Sequence, residues 1–162
     1  MLYSDARSII KSGDLLAWRG RSLLSWLIRA VTGGSWTHVG VALWLGERLF
    51  VVEAREFRGV VLTPLSLRLP FDLVSTKLLI DNDDIDRALH RVGHKYSYGD
   101  AIRAGLGMRF SGKGDICSEY AANILREATA IAMMAPPDYP TPTALVEFYL
   151  NKGAMLRSVW KG

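Results

Sequence analysis

Two apolar runs joined by a pair of residues constrain this chain most. Trp36 to Leu45 and Arg48 to Ala54 flank Gly46-Glu47. Runs of this length and composition read as strands, and a Gly-X pair between them suits a two-residue type II′ hairpin turn. Such a turn fixes register. With Leu45 opposite Arg48, Gly40 falls opposite Glu53, and His38 lies two residues from Gly40 on the same face. His38 and Glu53 are then diagonal neighbours, roughly 7–8 Å apart at the backbone and within side-chain reach. Gly40 leaves the space between them empty. A one-residue slip would send Glu53 to the opposite face.

Taken singly, His38 reads as a satisfied core histidine and Glu53 as a charge at a strand edge. Glu53 follows Phe50, Val51 and Val52, however, and a buried carboxylate must find a partner. Together the two outweigh the plainer reading. A third residue joins them from far along the chain. Asp115 is a good helix N-cap, and Ala121, Ala122, Ile124, Leu125 and Ala128 continue a helical pattern. Cys117 falls in the first turn, where free N–H groups and the helix dipole stabilise a thiolate. A lone cysteine is more often a small buried hydrophobe, and Cys117 shares a face with Ala121 and Leu125. A Cys, a His and a carboxylate that orients the His are the parts of a thiol nucleophile system.

The rest of the chain supplies a scaffold. Ser12-Gly13-Asp14 is a turn, with Asp14 in a structural role, and Leu15 to Trp18 is a short strand. Ser22 can cap a helix over Leu23 to Val31 that stops at Gly33-Gly34. A core-facing helix is the simpler reading; three nearby arginines and Trp26 offer a weak membrane-surface contact through residues 21–31 as the alternative. Val60 to Leu62 and Leu73 to Ile80 read as further strands. Asp81 to Asp86 lacks the sixth-position glycine and closing glutamate of a calcium loop and instead opens a helix through Ala88, Leu89 and Val92. His90 and His94 have the spacing of two metal ligands on a helix. Arg91 stands where the zinc-protease pattern needs glutamate, and Gly93 weakens the helix, so no metal site is expected. Gly105 to Gly114 is a glycine-rich loop, either a close approach to a ligand, a lid or a plain connector. After a Pro-rich loop, Thr143 can cap a helix over Ala144 to Leu150, and Met155 to Trp160 supplies a last strand.

Composition narrows the classes. The chain has 162 residues, 49% of them hydrophobic and 22% charged. It reads as one globular domain over 1–162, with 131–162 as a C-terminal extension. One cysteine excludes an internal disulfide and a Cys-based zinc cluster. A net charge of +4 and a pI near 9.4, with acid and base mixed, give no nucleic-acid stripe. No signal peptide or spanning segment is evident, and a cytoplasmic location is expected; the Leu23–Val31 run falls well short of the roughly 20 residues a bilayer requires.

With these residues placed, the order is familiar. Gly13-Asp14-Leu15-Leu16, then a helix, then Ser35-Trp36-Thr37-His38-Val39-Gly40-Val41-Ala42 resembles the permuted branch of the NlpC/P60 papain-like hydrolases. Val52-Glu53-Ala54, Gly59-Val60, Tyr96-Ser97-Tyr98 and Cys117-Ser118-Glu119 continue the match over roughly residues 10 to 130. The order His, Glu, Cys marks the permuted branch, within which the chain resembles the YiiX/YebB-like group and, more distantly, lecithin retinol acyltransferase-like enzymes. The resemblance implies an α+β fold: a circularly permuted papain-like core whose antiparallel, barrel-like sheet packs against the Cys helix. It implies Cys117 as nucleophile, His38 as general base and acid, and Glu53 orienting His38. The Cys117 backbone N–H would be the oxyanion donor, with Tyr96, Tyr98, Trp36 and Ser118 lining the substrate. No cofactor is implied. The superfamily cleaves amide bonds in cell-wall peptides and hydrolyses or transfers lipid acyl groups, so a peptide or an acyl lipid is the expected partner; the alternative is a non-catalytic lipid- or partner-binding module on the same fold. Small proteins of this kind also occur in phages.

Overall fold

The structure, a computed structural model, describes residues 1–20, 34–55, 57–95, 117–128, 135–138 and 140–162. The hairpin forms with the expected register. β2 (His38–Leu45) and β3 (Arg48–Arg55) pair antiparallel, with Leu45 opposite Arg48 and Val41 opposite Val52. Gly46 has a φ of 59°, the positive angle that a type II′ turn needs at its first central residue. Gly40 is required by packing. A β-carbon there would stand 2.6 Å from Val51 Cγ2 and 3.0 Å from Glu53 Cβ. Gly40→Val is expected to destabilise the fold by about 1–3 kcal/mol through overpacking, read as a lower denaturant midpoint at unchanged slope.

Four further strands complete an antiparallel sheet. β1 (Leu15–Trp18) pairs with β2 on one side and with β5 (Phe71–Ser75) on the other. β4 (Gly59–Pro64) pairs with β3, and β6 (Met155–Val159) with β5, giving the order β4-β3-β2-β1-β5-β6. The expected barrel-like closure is absent among the described residues, because β4 and β6 are the two edges of an open sheet.

Alternation along the strands divides the core in two. Leu15, Ala17, Val39, Val41, Val52 and Ala54 face a layer of helices. That layer holds α2 (Asn82–His90), α3 (Cys117–Glu127) and α4 (Pro142–Asn151), with α3 lying against β2 and β3. Leu16, Ala42, Val51 and Leu73 face the other way, under α1 (Tyr3–Arg7) and a 3₁₀ turn at Leu65–Leu67. The sheet is therefore buried on both faces, which explains why its strands read as unbroken apolar runs.

Several boundaries differ from the sequence reading, three of them for reasons visible in the hydrogen bonds and helix ends. The run from Leu73 leaves the sheet after Ser75, because Asp14 Oδ1 accepts the Thr76 N–H and the Thr76 hydroxyl donates to the Gly13 carbonyl. α2 starts, as expected, with acidic residues, where Asp81 and Asp84 form a reciprocal capping box, but ends at His90 instead of running through Val92. α4 starts earlier than Ala144: Thr141 accepts the Ala144 N–H and Pro142 takes the first turn, so Thr141, not Thr143, is the cap.

The C-terminal segment is woven into this frame. β6 covers the free edge of β5, and the amino terminus donates to the Ser158 carbonyl at 2.9 Å. Among the described residues no helix is long and apolar enough to cross a membrane.

Candidate active site

His38 is the first residue of β2, and the hairpin register sets it diagonally across Gly40 from Glu53. Its Nε2 lies 2.5 Å from Glu53 Oε2. Glu53 is wholly buried, on the Val51 side of β3, among residues that offer no solvent to its charge. Two cationic groups compensate. One is His38. The other is Arg68, whose Nη2 donates to Glu53 Oε2 at 2.8 Å. Arg68 Nε also stands 2.7 Å from Oε1, a charge contact whose angle falls outside hydrogen-bond geometry. Burial pushes the Glu53 carboxyl up, but the hydrogen bonds and charges of His38 and Arg68 outweigh it and hold the group below its ordinary value.

An ionised carboxylate only accepts hydrogen bonds, so the His38 Nε2 carries a proton and points it at Glu53. Nδ1 is then the nitrogen not engaged by Glu53. Cys117 lies near enough to His38 to be the largest influence raising the pKa of the ring. Cys117 is 4% exposed at the start of α3, in the core between sheet and helices. His38 therefore links the two cores. Burial would lower the His38 pKa, but Cys117 and then Glu53 raise it from 6.5 to about 9. Because the folded value is the higher one, the pair's contribution to stability is complete below pH 6.5 and fades as pH rises through about 9.

A wall of aromatic and guanidinium groups holds the dyad in place. The Trp18 ring lies 5.4 Å from the His38 ring, and the Arg68 guanidinium lies 4.8 Å over Trp18. Trp18 Nε1 in turn donates to the Arg68 carbonyl at 2.7 Å. Thr143 fixes the chain just before His38, since its hydroxyl accepts the Trp36 N–H at 3.1 Å and donates to the Trp36 carbonyl at 3.0 Å.

Trp36 and Ser118 are 7% and 1% exposed, a burial comparable with the 4% of Cys117. Trp36 Nε1 is already bonded to Asp72 Oδ2 at 2.8 Å. Tyr96 and Tyr98, the glycine-rich loop, the Asp115 cap and the Leu23–Val31 stretch lie outside the described residues. Asp14 has the structural role expected of it: it accepts the N–H groups of Lys11 and Thr76, while burial pushes its carboxyl up to about 6. His90 closes α2 and His94 follows Gly93 at a φ of 94°, so the two do not share a helical face. No group of three or more His, Cys, Asp or Glu converges as metal ligands among the described residues.

Arg68 is the site residue the sequence reading missed. It sits in Leu65-Ser66-Leu67-Arg68-Leu69-Pro70, an irregular segment without strand or helix period. The available signal was the converse one: a buried Glu53 needs more compensation than one histidine supplies.

No family model and no curated protein matches this sequence. The fold does match a solved structure, the metalloprotein YiiX from Escherichia coli O157:H7, with a TM-score of 0.59 at 17% identity. The match covers 76% of this chain and 68% of YiiX. The likeness is one of fold, and it places the mixed α/β architecture alongside YiiX.

Proposed function

We propose that this protein is a thiol hydrolase or acyltransferase with a permuted NlpC/P60 papain-like fold, acting on an amide or an acyl ester. The observation that carries this reading is the position of His38, with Nε2 on a buried, ionised Glu53 and with Cys117 near enough to raise the pKa of the ring. The order of these residues along the chain and the YiiX-like fold support it.

The chemistry follows from the arrangement. The Cys117 thiolate attacks the substrate carbonyl carbon, a C–S bond forms, and the displaced electron pair moves to oxygen, facing the Cys117 N–H. Collapse breaks the bond to the leaving nitrogen or oxygen, which takes the His38 Nδ1 proton. The neutral imidazole then removes a proton from water, or from an acceptor alcohol or amine, as it attacks the thioester. Cys117 leaves as thiolate and the cycle closes.

Alkylation of Cys117 tests the pair without knowledge of the substrate. With iodoacetamide near neutral pH, His38→Ala is expected to lose at least about tenfold in rate against the parent protein. Thioester trapping with activated acyl and peptide probes, followed by intact mass, then separates acyl esters from amides, and Cys117→Ala is expected to take up no label. A thiol that stays inert until the protein unfolds, or reacts equally without His38, would make Cys117 a packing residue and remove the basis for this function.

A further inference from the structure

Glu53 has no solvent to lean on, and its charge is shared between His38 and Arg68. The catalytic reading makes that sharing unequal in time. While His38 is an imidazolium, Glu53 has two cationic partners. Once Nδ1 gives up its proton to a leaving group, His38 is neutral and only Arg68 remains charged. A buried carboxylate without a counter-charge takes up a proton, because desolvation penalises the ionised form. Had Glu53 done so, its O–H would donate to His38 Nε2, and the ring's own proton would reside on Nδ1. That tautomer has no lone pair facing Cys117 or an incoming water. It is not a base there.

We propose that Arg68 is a positioning residue that keeps Glu53 ionised throughout the cycle and so holds His38 in the tautomer with Nε2 protonated and Nδ1 free. The assignment rests on the thiol-hydrolase reading for its catalytic meaning, though its charge effect is measurable without any substrate. The geometry is that of a guanidinium built for the task. Nη2 bonds the same Oε2 that receives the His38 proton, and Nε stands 2.7 Å from Oε1, so both carboxylate oxygens face the guanidinium charge, which favours the ionised form. Arg68 is itself held from two sides, its guanidinium over the Trp18 ring and its carbonyl on Trp18 Nε1. Since Trp18 also flanks the His38 ring, one indole sets the spacing of both cations around one carboxylate.

The test compares the parent chain with Arg68→Met, which keeps a comparable stem without charge, and with Arg68→Lys. The ¹³C shift of the Glu53 carboxyl and the ¹⁵N shifts of His38 are followed across pH by NMR. The parent is expected to show an ionised Glu53 at neutral pH and, above the His38 transition, the Nε2–H tautomer. In Arg68→Met the Glu53 carboxyl is expected to titrate at higher pH and His38 to move toward Nδ1–H, with Cys117 alkylation slowed about tenfold or more. Arg68→Lys, which restores a cation, is expected to recover most of both signals. A folded Arg68→Met with Glu53 still ionised and the tautomer unchanged would overturn the proposal. Should Arg68→Met not fold, Glu53→Gln combined with Arg68→Met decides: folding comparable to Glu53→Gln alone supports a charge role, and failure to fold makes Arg68 a packing residue and overturns it. Expected NMR shifts without any thioester from the probes would leave the charge role standing and defeat the hydrolase reading instead.

Discussion

Glu53→Ala is expected to destabilise the fold by about 3–5 kcal/mol, measured by chemical denaturation at pH 7. The size follows from what is left behind. Glu53 is fully buried, and its removal strands the Arg68 guanidinium with its aromatic cover and no anion. It also opens a void against Gly40, which has no side chain to collapse into it. Glu53→Gln should cost less, since the amide fills the volume and its oxygen can accept from one cation. The two substitutions separate loss of charge from loss of shape, and Gln should retain little of the reactivity that depends on the imidazolium. A melt for Glu53→Ala indistinguishable from the parent would mean that the carboxylate contributes nothing net to the fold.

The second large effect is on rate. With a reporter acyl or peptide substrate, His38→Ala is expected to lower kcat/KM by about 10²–10⁴-fold, the usual worth of a positioned acid and base. In the proposed mechanism the imidazolium donates the proton to the leaving group, and its pKa is raised to about 9 by Cys117 and Glu53. The rate is therefore expected to hold through neutral and mildly alkaline pH and to fall through about pH 9 as that proton is lost. Stability contributed by the pair fades over the same alkaline range, so the profile should be recorded with a parallel check that the protein remains folded. A profile that still climbs beyond that point would show that the rate does not need the protonated ring.

The parts of this site that the sequence revealed are those governed by short-range rules. The two-residue turn at Gly46-Glu47 sets the register, the register sets the parity, and parity alone brings His38 and Glu53 to one face. The helix with Cys117 was legible from its apolar spacing, and its packing on β2 and β3 follows. Arg68 was not, because nothing local distinguishes a guanidinium bound for a buried carboxylate from one bound for solvent. Thr143 misled for a related reason. Two threonines flank Pro142, and proline at the first helical position favours the earlier one as cap. Thr143 is thereby released to bind the Trp36 peptide, a contact across 107 positions that no periodicity records. The end of β5 was hidden in the same way, since Thr76 obeys Asp14 and not the apolar run around it.

The grip of Thr143 on Trp36 also bears on where the working unit stops. Every member of the Cys117, His38 and Glu53 set lies before residue 130, and a fragment trimmed there would look complete by inventory. It would lack the hydroxyl that clasps both polar groups of Trp36, two positions ahead of the histidine. It would also lack β6, so β5 would offer its bare backbone as a template for strands of other molecules. The smallest fragment that keeps this site intact is thus defined by its hydrogen bonds and not by the three site residues, and trimming to the recognisable motifs should yield an aggregating chain with a misaimed imidazole.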